Sequence, residues 1–505
     1  MTHLFLKRFR QTLALLVFVL ITLLFLDFSG VLHKYLSFLA KIQLLPAIMA
    51  LNFVVVAVIL VLTLLFGRIY CSVICPLGIM QDVFSHIHSI RKKNRFRYTK
   101  EIKWLRYGVF VLFVVALILG VNSLAILLAP YSSYGRIAQN LFSPIYLFFN
   151  NILAYFSERL NSYAFYSQEI WIRSVSTFVI ALLSFVIIGF LAWKKGRLYC
   201  NSICPVGTLL SFVARFSFFK IRIDESKCIK CDKCTKNCKA QCINGKQNEV
   251  DYSRCVVCGN CQASCPKNAI NYTLKKNKKN IVEENKMENG EDKTNVDISK
   301  RAFLTSSLLF GTSLALAQDK KKVDGGLAII EDKKPYKRQT ALVPPGAKSL
   351  KNFQQRCTGC QLCISKCPNN VLRPSKDLLH LMQPEMSFEK GACRVECTLC
   401  SDVCPAGAIE KITKEEKTAI KIGTAHWVKQ NCVVTKDKHE CGNCARHCPA
   451  FAIFMVPINP QDENSLKIPS VNENKCIGCG MCEYVCPSRP YSAIFVEGGL
   501  VHQNI

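Results

Sequence analysis

The chemistry of this chain is concentrated in its cysteines. Of the 29 among 505 residues, 24 fall into six runs of four, whose regular form is Cys-x2-Cys-x2-Cys-x3-Cys, most often closed by proline. Three closely spaced thiolates suit three iron corners of a cubane, and the more distant fourth suits the other cluster of a pair. The short spacers make the chain curl round the cluster, and the proline turns it away. A zinc ribbon also uses Cys pairs, but it needs only four ligands per site and does not produce repeated proline-closed runs. A disulfide framework would leave one cysteine over and belongs to short secreted domains.

Two runs lie in residues 217–274: Cys228, Cys231, Cys234, Cys238 and Cys255, Cys258, Cys261, Cys265, the second followed by Pro266. Crossed ligation gives one cluster to Cys228, Cys231, Cys234 and Cys265, and its partner to Cys255, Cys258, Cys261 and Cys238. Cys238 is followed by Lys239, and Cys242 is close by, but Cys238 has the required spacing. Residues 319–505 hold the other four runs: Cys357, Cys360, Cys363, Cys367; Cys393, Cys397, Cys400, Cys404; Cys432, Cys441, Cys444, Cys448; and Cys476, Cys479, Cys482, Cys486. Pro368, Pro405, Pro449 and Pro487 close them. The second and third runs have long first gaps and are nested inside the regular first and fourth. The expected pairing is therefore first with fourth and second with third. Cys357, Cys360 and Cys363 would take Cys486, and Cys476, Cys479 and Cys482 would take Cys367. Likewise Cys393, Cys397 and Cys400 would take Cys448, and Cys432, Cys441 and Cys444 would take Cys404. The total is six [4Fe-4S] clusters.

Four further cysteines belong to an internal repeat. Residues 67–78 read Gly-Arg-Ile-Tyr-Cys-Ser-Val-Ile-Cys-Pro-Leu-Gly, and residues 196–207 read Gly-Arg-Leu-Tyr-Cys-Asn-Ser-Ile-Cys-Pro-Val-Gly. The i, i+4 spacing of Cys71 with Cys75 and of Cys200 with Cys204 puts each pair on one face of a helical turn. A further metal or cluster, redox disulfides, an assembly role and a purely structural tight turn all fit that pattern. Cys242 is left over as a spare buried thiol.

The elements that carry these residues divide the chain. Residues 11–26, 42–67, 107–135 and 174–193 are uncharged and apolar, and a spanning helix needs about 20 such residues. Lys7, Arg8 and Arg10 precede the first run. Arg68, Arg91, Lys92, Lys93, Arg95, Arg97, Lys100, Lys103 and Arg106 lie between the second and third, and Lys194, Lys195 and Arg197 follow the fourth. This bias places those segments in the cytoplasm. Trp104, Trp171 and Trp193 sit at run ends, where interfacial tryptophans belong. The expected architecture is an α-helical membrane domain of four transmembrane helices with an internal duplication (1–216), joined to two ferredoxin-like α+β domains. The first of these has two clusters (217–274) and the second four (319–505). Between them lie a flexible polar linker (275–298) and a segment like a twin-arginine export signal or anchor (299–318). That segment runs Ser299-Lys300-Arg301-Ala302-Phe303-Leu304 and ends on Leu314-Ala315-Leu316-Ala317.

The formal charge of +30 does not point to nucleic acid, because cluster-bound thiolates are negative and the lysines are scattered through linkers. No Gly-x-Gly-x-x-Gly after a strand, Cys-x-x-Cys-His, P-loop, nucleophile elbow or zincin motif is present. No catalytic residue is assigned. Asp27, His33 and Arg136 are candidates for proton handling on the outer side, and the plainer reading makes them interfacial or solvated.

On these motifs, residues 1–274 resemble the NapH family, and residues 299–505 resemble the NapG and MauM family of exported four-cluster ferredoxin-type proteins. The resemblance implies a quinol dehydrogenase module in the inner membrane. It would draw on the membrane quinol pool and feed a periplasmic reductase, such as a nitrate reductase, or a cytochrome c acceptor. Residues 319–505 would be periplasmic. Two departures stand out: the halves are fused, and the export signal has Lys-Arg. A second resemblance, to CcoG-type ferredoxin proteins that share Cys-x3-Cys-Pro elements, implies a metal reductase or assembly factor. In that case Cys71, Cys75, Cys200 and Cys204 would bind or reduce copper, since thiolates suit Cu(I).

Overall fold

Apolar composition builds the N-terminal half as helices, but not as four uninterrupted spans. The computed structural model describes residues 2–27, 30–91, 96–162, 164–274, 331–462 and 465–505. The linker 275–298 and the export-like segment 299–318 lie outside the described residues. Helix α1 covers Thr2–Leu26, and α6 covers Val175–Lys195. Among the described residues these two are long and apolar enough to cross a membrane, by length and composition.

The other two apolar runs are broken, which corrects the expectation of four spanning helices. Residues 42–67 give Leu44–Met49 and then α2, Phe53–Phe66. Leu51 takes a left-handed φ of 54°, and Asn52 caps α2 by accepting from the Val55 N–H at 3.2 Å. Residues 107–135 fall into α4 (Lys103–Ile118), Asn122–Leu128 and α5 (Pro130–Ile137). Gly120, with φ 75°, closes α4, and Pro130 opens α5 with its ready-made φ. Hydropathy does not register a cap or a left-handed residue inside an apolar stretch. The 14 residues of α2 and 16 of α4 fall short of the ~20 that cross ~30 Å of hydrocarbon.

The duplication is real in three dimensions. Helix α2, a turn at Tyr70–Val73 and α3 (Pro76–Arg91) are matched by α6, a turn at Leu198–Ser202 and α7 (Pro205–Ala214). Gly67 (φ 73°) and Gly196 (φ 61°) terminate the leading helix of each copy. The outer faces of these helices are apolar: Leu15, Leu16 and Val19 on α1, Val54, Val58 and Val61 on α2, and Leu183, Ile187 and Phe190 on α6 are all exposed.

The cysteine-rich parts consist of short helices and two-stranded antiparallel ladders. In the first, β1 (Phe219–Ile223) pairs with β2 (Ile270–Leu274), Phe219 opposite Leu274. In the second, β3 (Ile420–Trp427) pairs with β4 (Ile494–Asn504), Ile494 opposite Trp427, with a shift in register beyond Gly498.

These two parts dock at opposite ends of α1, a helix of 25 residues and thus about 37 Å long. At its N-terminal end Lys7 packs near Gly259, and the two-cluster part is tied down by Phe218 N–H to Leu64 O (2.8 Å) and Tyr272 Oη to Phe66 O (2.9 Å). At its C-terminal end Lys366 Nζ meets Asp27 Oδ2 at 2.8 Å, with side chains only 1% and 3% exposed. Ser132 Oγ donates to Thr358 O, and Asn140 Nδ2 donates to Gln361 Oε1 at 3.1 Å.

One carboxylate joins three parts of the chain. Asp82 on α3 accepts two bonds from Arg197, both 2.7 Å, and pairs with Lys239 Nζ at 2.5 Å. Burial opposes its charge, yet Arg197 and Lys239 together hold its carboxyl well below the ordinary range. Replacing Asp82 by Asn leaves two buried cations uncompensated. The expected loss is about 3–5 kcal/mol, measured by urea unfolding in detergent; an unchanged midpoint would refute this role.

Candidate metal centres

Each regular run is shaped by backbone that bends the wrong way for most residues. The residue before the second cysteine is left-handed in all four regular runs: Lys230 (φ 49°), Val257 (50°), Gly359 (59°) and Gly478 (78°). So is the residue after it: Asp232 (56°), Gly259 (72°), Gln361 (63°) and Gly480 (74°). These bends wrap the loop round the thiols and launch the short helix carrying the third cysteine. In the irregular runs the corresponding Thr398 (φ −109°) and Gly442 (−162°) are not left-handed. A further left-handed residue follows the fourth cysteine by three places at Gln241, Asn268, Asn370, Gly407 and Phe451. In four of these it turns the next N–H, or the one after, back onto sulfur: Ala269 to Cys265 Sγ (3.3 Å), Val371 to Cys367 (3.4 Å), Ile409 to Cys404 (3.5 Å) and Ala452 to Cys448 (3.3 Å). Such bonds stabilise a ligating thiolate and tune a cluster's potential.

In the two-cluster part a cavity is lined by Cys228, Cys231, Cys234, Cys265 and Pro266. Cys261 has Cys258, Cys255 and Cys238 as its thiol neighbours. Cys242, buried, lies 3.6 Å from Cys238 Sγ and also beside Cys255. This thiol–thiol bond holds the Cys238 thiol below the ordinary range. Sequence spacing gave Cys242 no such place.

In the four-cluster part the expected pairing is corrected. Cys404, not Cys486, is the thiol that acts on Cys357, Cys360 and Cys363 together. Cys367 joins Cys393, Cys397 and Cys400 round one cavity. Cys486 lies with Cys432 and Cys441 about Cys444, and Cys448 lies beside Cys476 and Cys479. First pairs with second, and third with fourth. The reason is local closure: a short ladder, Leu372–Pro374 with Pro384–Met386, links the first pair, and another, Ile453–Pro457 with Lys467–Val471, links the second. The longer gaps bulge outward without re-routing the fourth thiol. The two units meet where the Cys393 N–H donates to Cys479 O at 3.0 Å. The sites therefore follow one another in space as first, second, fourth, third.

The repeat cysteines form one site. Cys71, Cys75, Cys200 and Cys204 are all buried; Cys75 has Cys200 and Cys71 as neighbours, and Cys204 has all three others. The two copies exchange arginines: Arg68 Nη2 donates to Cys200 O at 3.1 Å, and Arg197 Nη1 donates to Cys71 O at 2.5 Å. Gly78 and Gly207 leave room for those same carbonyls. Gln81 Nε2 reaches Cys200 Sγ at 3.3 Å, and the Gly207 N–H reaches Cys204 Sγ at 3.3 Å. Two fully buried guanidiniums beside four thiols suit a thiolate-ligated group. Among the described residues no three Cys, His, Asp or Glu side chains stand where a single metal ion could be held.

The three proton-handling candidates are buried rather than solvated. Asp27 is paired with Lys366. Arg136 is tied to Ile126 O (2.8 Å) and Ser133 Oγ (3.0 Å). For His33, burial and then Lys366 lower the pKa, with a bond to the Asp402 backbone acting the other way.

Comparison with known proteins agrees with this layout. Residues 48–95 and 177–224, which contain the repeat cysteines, match a 4Fe-4S binding domain. Residues 356–408 and 439–489 match a 4Fe-4S dicluster domain, the same two pairs that the thiols form, and residues 248–271 match another 4Fe-4S binding domain. The methylamine utilization ferredoxin-type protein MauM of Methylobacillus flagellatus is 32% identical over 170 residues, 32% of this chain and 70% of that protein. This chain belongs to the MauM family of ferredoxin-type proteins. The ferredoxin-type protein NapG of Escherichia coli is 28% identical over 184 residues, 34% of this MauM-type chain and 78% of NapG. NapF of the same organism is 26% identical over 162 residues, 32% of this chain and 89% of NapF. No solved structure matches. The MauM-type chain thus has several 4Fe-4S domains and is an iron–sulfur electron-transfer protein.

Substituting Cys404 by Ala should damage the cluster of Cys357, Cys360 and Cys363 and spare that of Cys393, Cys397 and Cys400, as read from signal loss in electron paramagnetic resonance. Loss of the second cluster alone would overturn the pairing. Gly478→Val forces a side chain onto a φ of 78° and within 2.7 Å of Gly423 N. It should strip iron from the Cys476 site, measured as lower iron per chain.

Proposed function

We propose that this protein takes electrons from membrane quinol and passes them through six [4Fe-4S] clusters to an exported reductase of the nitrate-reductase kind. The observation that carries the reading is the docking of two cluster-bearing parts at opposite ends of one apolar helical domain. When bound, the clusters supply one-electron carriers. The chain's own residues supply the spacing. Tyr131 lies beside Cys360 and Cys404 on one side and Tyr70 on the other, and Tyr70 neighbours Cys75, Cys71 and Cys204. Arg68 then links that site to Ser253 O at 3.1 Å, two residues before Cys255. Buried side chains of one contiguous core thus lie between one cluster-bearing part and the other.

The apolar collar on α1, α2 and α6 fits lipid. The end carrying Lys7, Arg8, Arg10 and the 68–106 connection fits the cytoplasmic face, and on this reading the four-cluster part is outside. The export-like segment 299–318 lies in the chain where that crossing is required. The match of both repeat segments to a 4Fe-4S binding domain favours iron–sulfur chemistry over the copper alternative.

Two measurements test this. Anaerobically reconstituted protein should hold about 24 iron and 24 acid-labile sulfide atoms, four of each per cubane; fewer than about 16 iron would exclude six clusters. An epitope after Ile505 should be labelled once the outer membrane alone is permeabilised. Labelling only after the inner membrane is opened would defeat the export claim.

A further inference from the structure

A cavity of about 430 Å³ lies where the four-cluster part meets the helical domain, within the usual ~300–1,000 Å³ of small-molecule sites. One wall is apolar, with Leu26 at the end of α1 and Phe178 near the start of α6. These are the outer ends of the two long apolar helices, so a ligand dissolved in lipid would arrive at this level. The opposite wall comes from the first cysteine run. Gln361 sits between Cys360 and Cys363, and Cys367 closes that run; both line the cavity.

Two residues of the lining carry buried polar atoms without a partner. Gln361 is only 1% exposed and its Oε1 accepts from Asn140, which orients the amide and leaves Nε2 as a buried donor with no partner. Gln139, also in the wall, has a buried Oε1 with no partner. The cations of the wall are already engaged. Lys366 pairs with Asp27, and Arg173 donates to Ile364 O and Asn370 Oδ1. Ser143, Gln168 and the Glu169 carboxylate share the lining with the apolar side chains, so the unpartnered donor of Gln361 and acceptor of Gln139 sit in a mixed wall with a polar majority. Leaving both unmet is costly, and a ligand that meets them recovers that cost. An anion has no free cation to bind here.

We propose that this cavity binds the ring of a quinone or quinol, with Gln361 Nε2 donating to a ring oxygen and Gln139 Oε1 accepting from a ring hydroxyl. The assignment rests on the quinol reading above and gives it a place: against the loop of the cluster site nearest the helical domain.

The test uses the full chain in lipid nanodiscs with a photoreactive azido-benzoquinone carrying a short isoprenoid tail. Cross-links should fall within residues 139–147, 166–173 and 361–370. Gln139→Leu should lower labelling about tenfold, the worth of one lost hydrogen bond, with iron content unchanged. Leu147→Trp, which fills the cavity from the helical side, should do the same and serves if the first variant misfolds. Labels elsewhere, or labelling of both iron-replete variants equal to the parent's, would overturn the assignment. A parallel arm follows cluster reduction by quinol in the resonance spectrum. Reduction with labels elsewhere defeats the cavity and leaves the electron-transfer reading standing. Labels in the cavity without reduction uphold the site and defeat that reading.

Discussion

Every cluster site in the two ferredoxin-like parts borrows its fourth thiol from a neighbouring run, and much of the local geometry follows from that reach. A run cannot close on its own cluster, so two runs must fold together before either site exists. The chain meets this demand with left-handed residues at fixed places, which curl three thiols inward, and with a bend after the fourth that aims a backbone N–H back at sulfur. The price is paid where a β-branched Val257 and a bulky Phe451 hold positive φ, conformations that cost of order 1–3 kcal/mol each. Metal–thiolate bonding offsets them, in keeping with a fold that completes itself on the metal.

The same reach explains why sequence spacing groups the cysteines of a run more readily than it names the partner of a run. Three thiols within seven residues form a local pattern. The destination of the fourth depends on the segment between runs, and there the ladders at Leu372–Pro374 and Ile453–Pro457 decide. Symmetry of gap lengths was a misleading guide because an inserted loop can bulge into solvent without altering which sulfur is nearest. Cys242 was passed over for a related reason: its bond to Cys238 arises from burial, not from spacing.

In the helical half, duplication and charge bias were legible, since Gly-Arg-x-Tyr-Cys repeats and basic connections are written directly in the residues. Helix continuity was not. Asn52 and Gly120 interrupt apolar runs while leaving their mean hydropathy high, and the consequence, helices of 14 and 16 residues, is a matter of caps. The burial of Asp27, His33 and Arg136 was equally hidden. Asp27 is covered by Lys366, 339 positions away, and no local pattern announces a lid that comes from another domain.

The exchange of arginines between the two copies of the repeat carries a consequence for descent. Arg68 completes the turn at Cys200, and Arg197 completes the turn at Cys71, so neither copy finishes its own pocket. A single ancestral copy on a separate chain would have met the same requirement only by facing its twin across a two-fold axis, each lending the other an arginine, as isologous dimers do. Gene fusion would then have joined partners that already needed one another, and it freed the two halves to diverge. Gln81 now reaches Cys200 from the first copy, while Asp82 beside it gathers Arg197 and Lys239. The counterpart positions in the second copy, Leu210 and Ser211, carry neither group.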